Sequence, residues 1–227
     1  MEQPFNLDRS QRLVIDTSTL AWTASPAAGV WRKSLEREGA ERGQVTSLVR
    51  YDPGARFAPH SHPLGEEILV LSGVFEDEQG RYPAGCYFRN PPGSQHAPAS
   101  PKGCELLVKL NLFQSGDDRQ VRVNTRSVAW QHDVASGVEL LPLHRFGREQ
   151  VRLERWPAAA DLGDRIHLGG EELFVLEGSF SDADGSYGAG SWIRLPAGSR
   201  HQPRSAKGCV LWVKSGYLGP QLSGRVG

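Results

Sequence analysis

The chain contains the same text twice. Residues 60–109 laid on residues 165–214 are identical at 26 of 50 positions, at a constant offset of 105. HPLGEEILVLSGVF meets HLGGEELFVLEGSF, and NPPGSQHAPASPKGCELLVK meets LPAGSRHQPRSAKGCVLWVK. Upstream the match continues at an offset of 108, where Thr17, Ala21, Trp22, Gly29, Val30 and Gly39 meet Thr125, Ala129, Trp130, Gly137, Val138 and Gly147. The change of offset means that the second copy lacks three residues, expected between Glu149 and Leu153. So long a period, present twice, indicates a duplicated domain and not a solenoid. Polar Ser115–Gly116–Asp117–Asp118 separates the copies, which predicts domains at 1–117 and 118–227.

Each copy reads as all-β. Gln44–Tyr51, Glu67–Leu71, Cys86–Arg89 and Glu105–Leu110 are short segments rich in Val, Leu, Ile and aromatics. Gly, Pro, Asn and Asp punctuate them every 8–12 residues, a spacing that suits an antiparallel sandwich or barrel. Glu76–Gly80 and Ser181–Gly185 read as hairpin loops. The one helix candidate of any length, Lys33–Glu41, has no apolar stripe. A composition with 26 Gly, 15 Pro and 38% hydrophobic residues agrees with many turns and few helices.

Charge and leader signals narrow the partners. Lys plus Arg equals Asp plus Glu, giving net charge 0, so nothing electrostatic points to nucleic acid or an anionic membrane. No apolar run approaches a membrane span, and MEQPFNLDRS lacks the features of a secretory signal, so a cytoplasmic location is expected. Cys86, Cys104 and Cys209 form no C-x-x-C pair and are expected as reduced thiols, the equivalent Cys104 and Cys209 packed in the core. Trp22 and Trp130, which open the repeats, are expected as packing anchors.

Five of the seven histidines fall at special points of the repeat: His60, His62 and His96, then His167 and His201. His60 and His62 stand two apart in a strand-like segment, which puts both on one face. Glu66 keeps that parity if the chain stays extended, with Glu67 facing the other way. His96 follows the turn Pro91-Pro92-Gly93 and must come from another strand. One H-x-H pair alone is weak evidence. Three imidazoles and a carboxylate converging inside a small barrel make a metal site suited to Zn, Fe, Mn, Ni or Cu. Two positions of an octahedral ion would stay open. His132 and His144 fall outside the pattern and are expected at the surface.

These residues resemble two known motifs. Gly54-x5-His60-x-His62-x3-Glu66-x6-Gly73 resembles the first cupin motif, and Gly85-x5-Pro91-x-Gly93-x2-His96 the second. Copy two repeats the latter as Gly190-x5-Pro196-x-Gly198-x2-His201. The chain therefore looks like a bicupin of two tandem double-stranded β-helix (jelly-roll) barrels. GEEILVLSGVF, RNPPGSQHAPAS and KGCELLVKL look like the ChrR-type cupin, the C-terminal domain of the ChrR anti-sigma factors. The resemblance implies a divalent metal, Zn or Fe with Mn or Ni as alternatives, on His60, His62, Glu66 and His96. Ser100 replaces the asparagine that often ends the second motif, and it is not a ligand. Those anti-sigma factors grip the sigma factor with a helical His/Cys zinc domain. This chain offers no C-x-x-C for one, so sigma-factor binding by that route is not expected.

Copy two departs at one ligand, because Arg165 stands where His60 stands. His167, Glu171 and His201 remain. Arginine cannot ligate a cation and would repel one. Three readings stay open: a facial triad on His167, Glu171 and His201; Arg165 as a carboxylate anchor in a metal-free pocket; and an Arg165–Glu171 salt bridge filling a lost site. Copy two is expected to bind metal more weakly than copy one or not at all, and Arg165→His to restore it.

Three functions are compatible with this sequence. The first is a metal-binding bicupin that acts on or senses a small oxidised molecule in oxidative stress, as the ChrR resemblance implies. The second is an Fe(II) dioxygenase cleaving a diketone or hydroxyketone, with metal-centred chemistry and no catalytic acid or base named by the sequence. The third is a metal-independent scaffold. A small molecule is the expected partner, and a homodimer remains open.

Overall fold

A computed structural model of the chain describes residues 4–39 and 43–219. Among them every regular element is a strand, apart from one turn of 3-10 helix at Thr17–Thr19. In chain order the strands used below are β1 (Leu13–Asp16), β2 (Val30–Arg37), β3 (Val45–Tyr51), β4 (His60–His62), β5 (Glu66–Asp77) and β6 (Cys86–Asn90). They continue with β7 (Ser94–His96), β8 (Cys104–Leu110), β9 (Val121–Asn124), β10 (Glu139–Phe146), β11 (Glu149–Trp156) and β12 (Arg165–His167). The last four are β13 (Glu171–Asp182), β14 (Ser191–Leu195), β15 (Ser199–His201) and β16 (Cys209–Ser215).

Two compact units form. Of the described residues, one holds 4–7 and those of 19–128, the other 8–18 and 129–219. In the first, the main antiparallel sheet runs β9-β6-β5-β8-β3-β2, and β4 pairs β7 in a separate ribbon. The second repeats this as β1-β14-β13-β16-β11-β10 with the ribbon β12-β15. These are the two jelly-roll barrels that the repeat and its motifs predict. Alternation sets the core: Val49, Ile68, Phe88, Leu106 and Val108 cluster in the first unit. Leu173, Val175, Ile193, Leu211 and Val213 cluster in the second.

The outer strand of each unit comes from the stretch that precedes the other sequence copy. β9 pairs β6, with Val121 opposite Arg89, while β1 pairs β14, with Leu13 opposite Arg194. Each pairing is locked at one end by an equivalent threonine: Thr125 Oγ1 donates to the Gly85 carbonyl and Thr17 Oγ1 to that of Gly190, both at 2.7 Å. The linear division at 117 and 118 marks the sequence repeat, whereas the compact units exchange these leader strands.

Three local expectations need correction. The helix candidate is strand where it is described: Val30–Arg37 form β2, and Ala40 and Glu41 lie outside the described residues. An element without an apolar helical stripe gains nothing from helix, and β2 instead pairs along β3. The missing three residues do not lie between Glu149 and Leu153. Val45 faces Leu110 in β8 and its counterpart Gln150 faces Ser215 in β16, so the offset is already 105 there. The deletion sits in the hairpin after Gly147, where it leaves every ladder in register; three residues lost within a strand would turn its side chains to the opposite face. His144 is buried, at 6% exposure, and not on the surface. His132 is exposed as expected.

Trp22 and Trp130 are half-buried platforms under cations. Lys33 Nζ and the Arg50 guanidinium each lie 4.7 Å from the Trp22 ring centre, and Arg155 lies 4.1 Å from that of Trp130. All three cysteines are buried and unpaired. Burial pushes the Cys104 and Cys209 thiols up to about 11, which keeps them protonated and unreactive at neutral pH.

Candidate metal centre

The ribbon β4·β7 sets His96 directly opposite His60. His62 lies two residues along β4 on the same face, so three imidazoles form a near-equilateral triangle. Their ring centres are 4.8, 5.0 and 4.9 Å apart. Glu66 joins them by a route that simple parity does not capture. The chain turns at Pro63–Leu64 and re-enters as β5, with Gly65 at φ 84. A side chain at Gly65 would collide with the Phe113 ring. Glu66 thereby reaches the triangle from a different strand, its Oε2 3.4 Å from His62 Nε2 and 3.5 Å from His96 Nε2. Glu67 does face the other way, toward Arg89 at 3.7 Å.

The imidazoles are oriented from behind. His60 Nδ1 lies 2.9 Å from the Ala58 carbonyl and His96 Nδ1 lies 3.4 Å from Asp77, which leaves both Nε2 atoms aimed inward. His62 Nε2 and His96 Nε2 stand 3.0 Å apart, close enough to share a single proton. Burial, followed by the nearby charges of His96 and His60, drives His62 down to about 3; burial lowers His60 as well. Both are therefore neutral at physiological pH, the form that ligates a metal. For His96, burial opposes the charged form, but the hydrogen bond it donates to Asp77 and the charge of Glu66 outweigh it and raise the ring.

This donor set fits a divalent ion. Glu66 is 6% exposed, and burial raises its carboxyl. Asn90 Nδ2 donates to it at 2.9 Å, and Asn90 is in turn held by Arg122 at 2.6 Å. Among the described residues no guanidinium or ammonium pairs with Glu66 directly. Of the three rings that Glu66 faces, His60 and His62 are neutral and only His96 is held toward its protonated form, a charge that a metal on these ligands would replace. A cavity of about 440 Å³ opens onto His60, His62 and Glu66, walled by apolar residues such as Val49, Ile68, Leu106 and Val108.

The second unit brings His167, Glu171 and His201 together and closes them off differently. Arg165 faces His201 across the ribbon β12·β15, as His60 faces His96. The Arg165–Glu171 bridge, one of the readings the sequence leaves open, is not the contact made. Arg165 Nη1 lies 3.3 Å from Glu154 instead. Glu171 is taken by Arg152, whose Nη2 is 3.1 Å away and also 2.6 Å from Glu154. Trp156 Nε1 donates to the same Glu154 at 2.7 Å. Burial would raise Glu171, but the hydrogen bond from His167 and the charge of Arg152 hold it well below the usual carboxylate range. Arg152 and Glu154 occupy the positions of Ser47 and Val49. Both changes lie outside the ligand motifs, and a position-by-position reading of the repeat along β3 and β11 could have found them.

Comparison with known proteins agrees with the fold. The profile of the ChrR Cupin-like domain matches residues 10–114 and again 118–219. No protein of curated function matches the sequence significantly. A candidate dioxygenase of Nostoc punctiforme superposes with TM-score 0.78 at 16% identity, covering 94% of this chain and 85% of that one. Protein Ylba of E. coli gives TM-score 0.71 at 14% identity and 91% coverage of each chain. Bacillus subtilis oxalate decarboxylase, described with Mn(II) centres, gives 0.64 at 13%, covering 91% of this chain and 77% of that one.

Proposed function

This chain belongs to the ChrR cupin-like family, and we propose that its first barrel is a ligand-accepting divalent metal centre acting on or sensing a small oxidised molecule. The second barrel, on this reading, is a metal-free structural partner. The observation that carries the proposal is Glu66, a buried carboxylate among three inward-facing imidazoles, paired with no guanidinium or ammonium among the described residues and open to a cavity. His60, His62, Glu66 and His96 would hold the ion. The ion would supply Lewis acidity or a redox couple. Asp77 and the Ala58 carbonyl keep the rings oriented, Asn90 fixes the Glu66 carboxylate, and the apolar wall excludes bulk water. The family resemblance supports a role in oxidative stress with a small molecule as partner, and the balanced charge gives no electrostatic reason to expect nucleic acid or an anionic membrane. Among the described residues no helix is long and apolar enough to cross a membrane.

A second reading, an Fe(II) dioxygenase acting on a diketone or hydroxyketone, draws on the cavity beside the candidate ligands and on the Nostoc protein's description. Metal analysis of tag-free protein, followed by oxygen uptake over β-diketones and hydroxyketones, separates the two. Bound iron with substrate-dependent uptake selects the dioxygenase. Zinc or manganese without uptake selects the sensor, and a metal-free protein after reconstitution refutes both. Light scattering tests the homodimer.

A further inference from the structure

The cavity of the first barrel is apolar along most of its wall, yet two arginines line it: Arg32 and Arg37, both half-buried and both on β2. Their shared orientation is built by the strand. Arg32 faces Val49 across the ladder and Ser34 faces Ser47; a bulge then inserts Leu35, and Arg37 faces Val45. The two arginines stand five positions apart, an odd step that regular alternation would send to opposite faces. The bulge resets the alternation and turns both toward the cavity. Arg32 lies close enough to His60 for its charge to bear on that ring.

The second barrel has abandoned this arrangement. Leu140 replaces Arg32 and is packed against the core, while Arg145, the counterpart of Arg37, is exposed. Where the cavity is kept, the guanidiniums are kept with it. Where Arg152 and Glu154 fill the interior, the inward pair is gone.

We infer that the ligand of the first barrel is a small organic carboxylate, its carboxylate held by Arg32 and Arg37 and its apolar body lying against Val49, Ile68, Leu106 and Val108. The inference rests on reading this cavity as the ligand site. Guanidinium forks match a carboxylate in two parallel hydrogen bonds, and such pairs are stronger in a partly desolvated site than in water. The cavity volume of about 440 Å³ lies within the range of small-ligand pockets.

Titration calorimetry on the full chain tests this. The probes are straight-chain carboxylates from acetate to octanoate, each beside its primary amide, with metal content measured on the same samples. At least one carboxylate is expected to bind about tenfold or more tighter than its amide. Arg32→Leu, which installs the residue the second barrel carries, should abolish that preference without changing metal stoichiometry. Arg32→Lys, which keeps charge but not the fork, should retain part of it. No preference for any carboxylate in the wild type, or a full preference in Arg32→Leu, overturns the inference. An Arg32-dependent preference in a chain that binds no metal would instead refute the proposed metal function and leave the carboxylate site standing.

Discussion

Arg152 reaches Glu171 at 3.1 Å, from the barrel position that Ser47 fills in the first unit. A guanidinium therefore provides, in the second unit, the positive charge that an ion would provide in the first. The loss of the second site is thus more than a change of one ligand. Arg165→His alone restores an imidazole but leaves Glu171 bound to Arg152. We expect that single variant to stay metal-free in the second unit. Arg152→Ser, Glu154→Val and Arg165→His together should raise stoichiometry from about one ion per chain toward two. Elemental analysis of purified protein reads the difference, and a second equivalent in Arg165→His alone would show that Arg152 is no barrier.

Much of this site was legible in the sequence, and the part that was not has a physical reason. His60, His62 and His96 follow from strand parity and a turn, and the ribbon β4·β7 brings them together as that spacing requires. Glu66 was named for a parity that the Pro63–Gly65 turn breaks, so its arrival depends on tertiary geometry. Arg152 and Glu154 carry no motif; the repeat read position by position shows that they replace Ser47 and Val49, but that Arg152 reaches Glu171 across the barrel is a tertiary fact. The exchange of β1 and β9 was invisible for the same reason: strand pairing between distant segments leaves no local pattern. Lys33–Glu41 misled because charged residues on a half-buried strand imitate a polar helix.

Asp77 should act as a positioning residue for the metal. It holds His96 Nδ1, and losing such an outer partner typically weakens metal affinity by about 10–100-fold. Asp77→Asn is expected to weaken binding within that range, measured by competition with a chromophoric chelator, while circular dichroism stays unchanged. Unaltered affinity would remove Asp77 from the account.

The Arg12–Asp182 pair, at 2.8 Å, should stabilise the second unit with a definite pH signature. Burial raises Asp182, but hydrogen bonds from Arg12, His201 and Tyr187 outweigh it and lower the carboxyl to about 2. A depressed carboxylate stabilises the fold above its unfolded value, near 3.8, and that stability is lost as pH falls toward about 2. Arg12→Ala should cost about 1–3 kcal/mol at pH 7, the scale for leaving a buried charged group short of a partner. In urea titrations the gap between wild type and variant should narrow as pH drops from about 4 toward 2. A gap independent of pH would contradict this.

Removing residues 1–18 should harm the second unit more than the first, because β1 pairs β14 along four residues, whereas the first loses the edge bridge Phe5–Arg37 and the Asn6–Leu35 hydrogen bond. Hydrogen exchange should show protection lost across Ser191–Leu195 and retained across Cys86–Asn90, which β9 still covers. Equal protection of both segments would mean that β1 is dispensable.

The central claim is that one divalent ion sits on His60, His62, Glu66 and His96. Its most direct test is metal content per chain, by mass spectrometry on protein purified without a histidine tag and reconstituted with excess zinc, iron or manganese, then desalted. The wild type should hold about one equivalent of one of these ions, and a folded His60→Ala, His62→Ala double variant should hold none. A full equivalent in the double variant, or none in the wild type, would contradict the account.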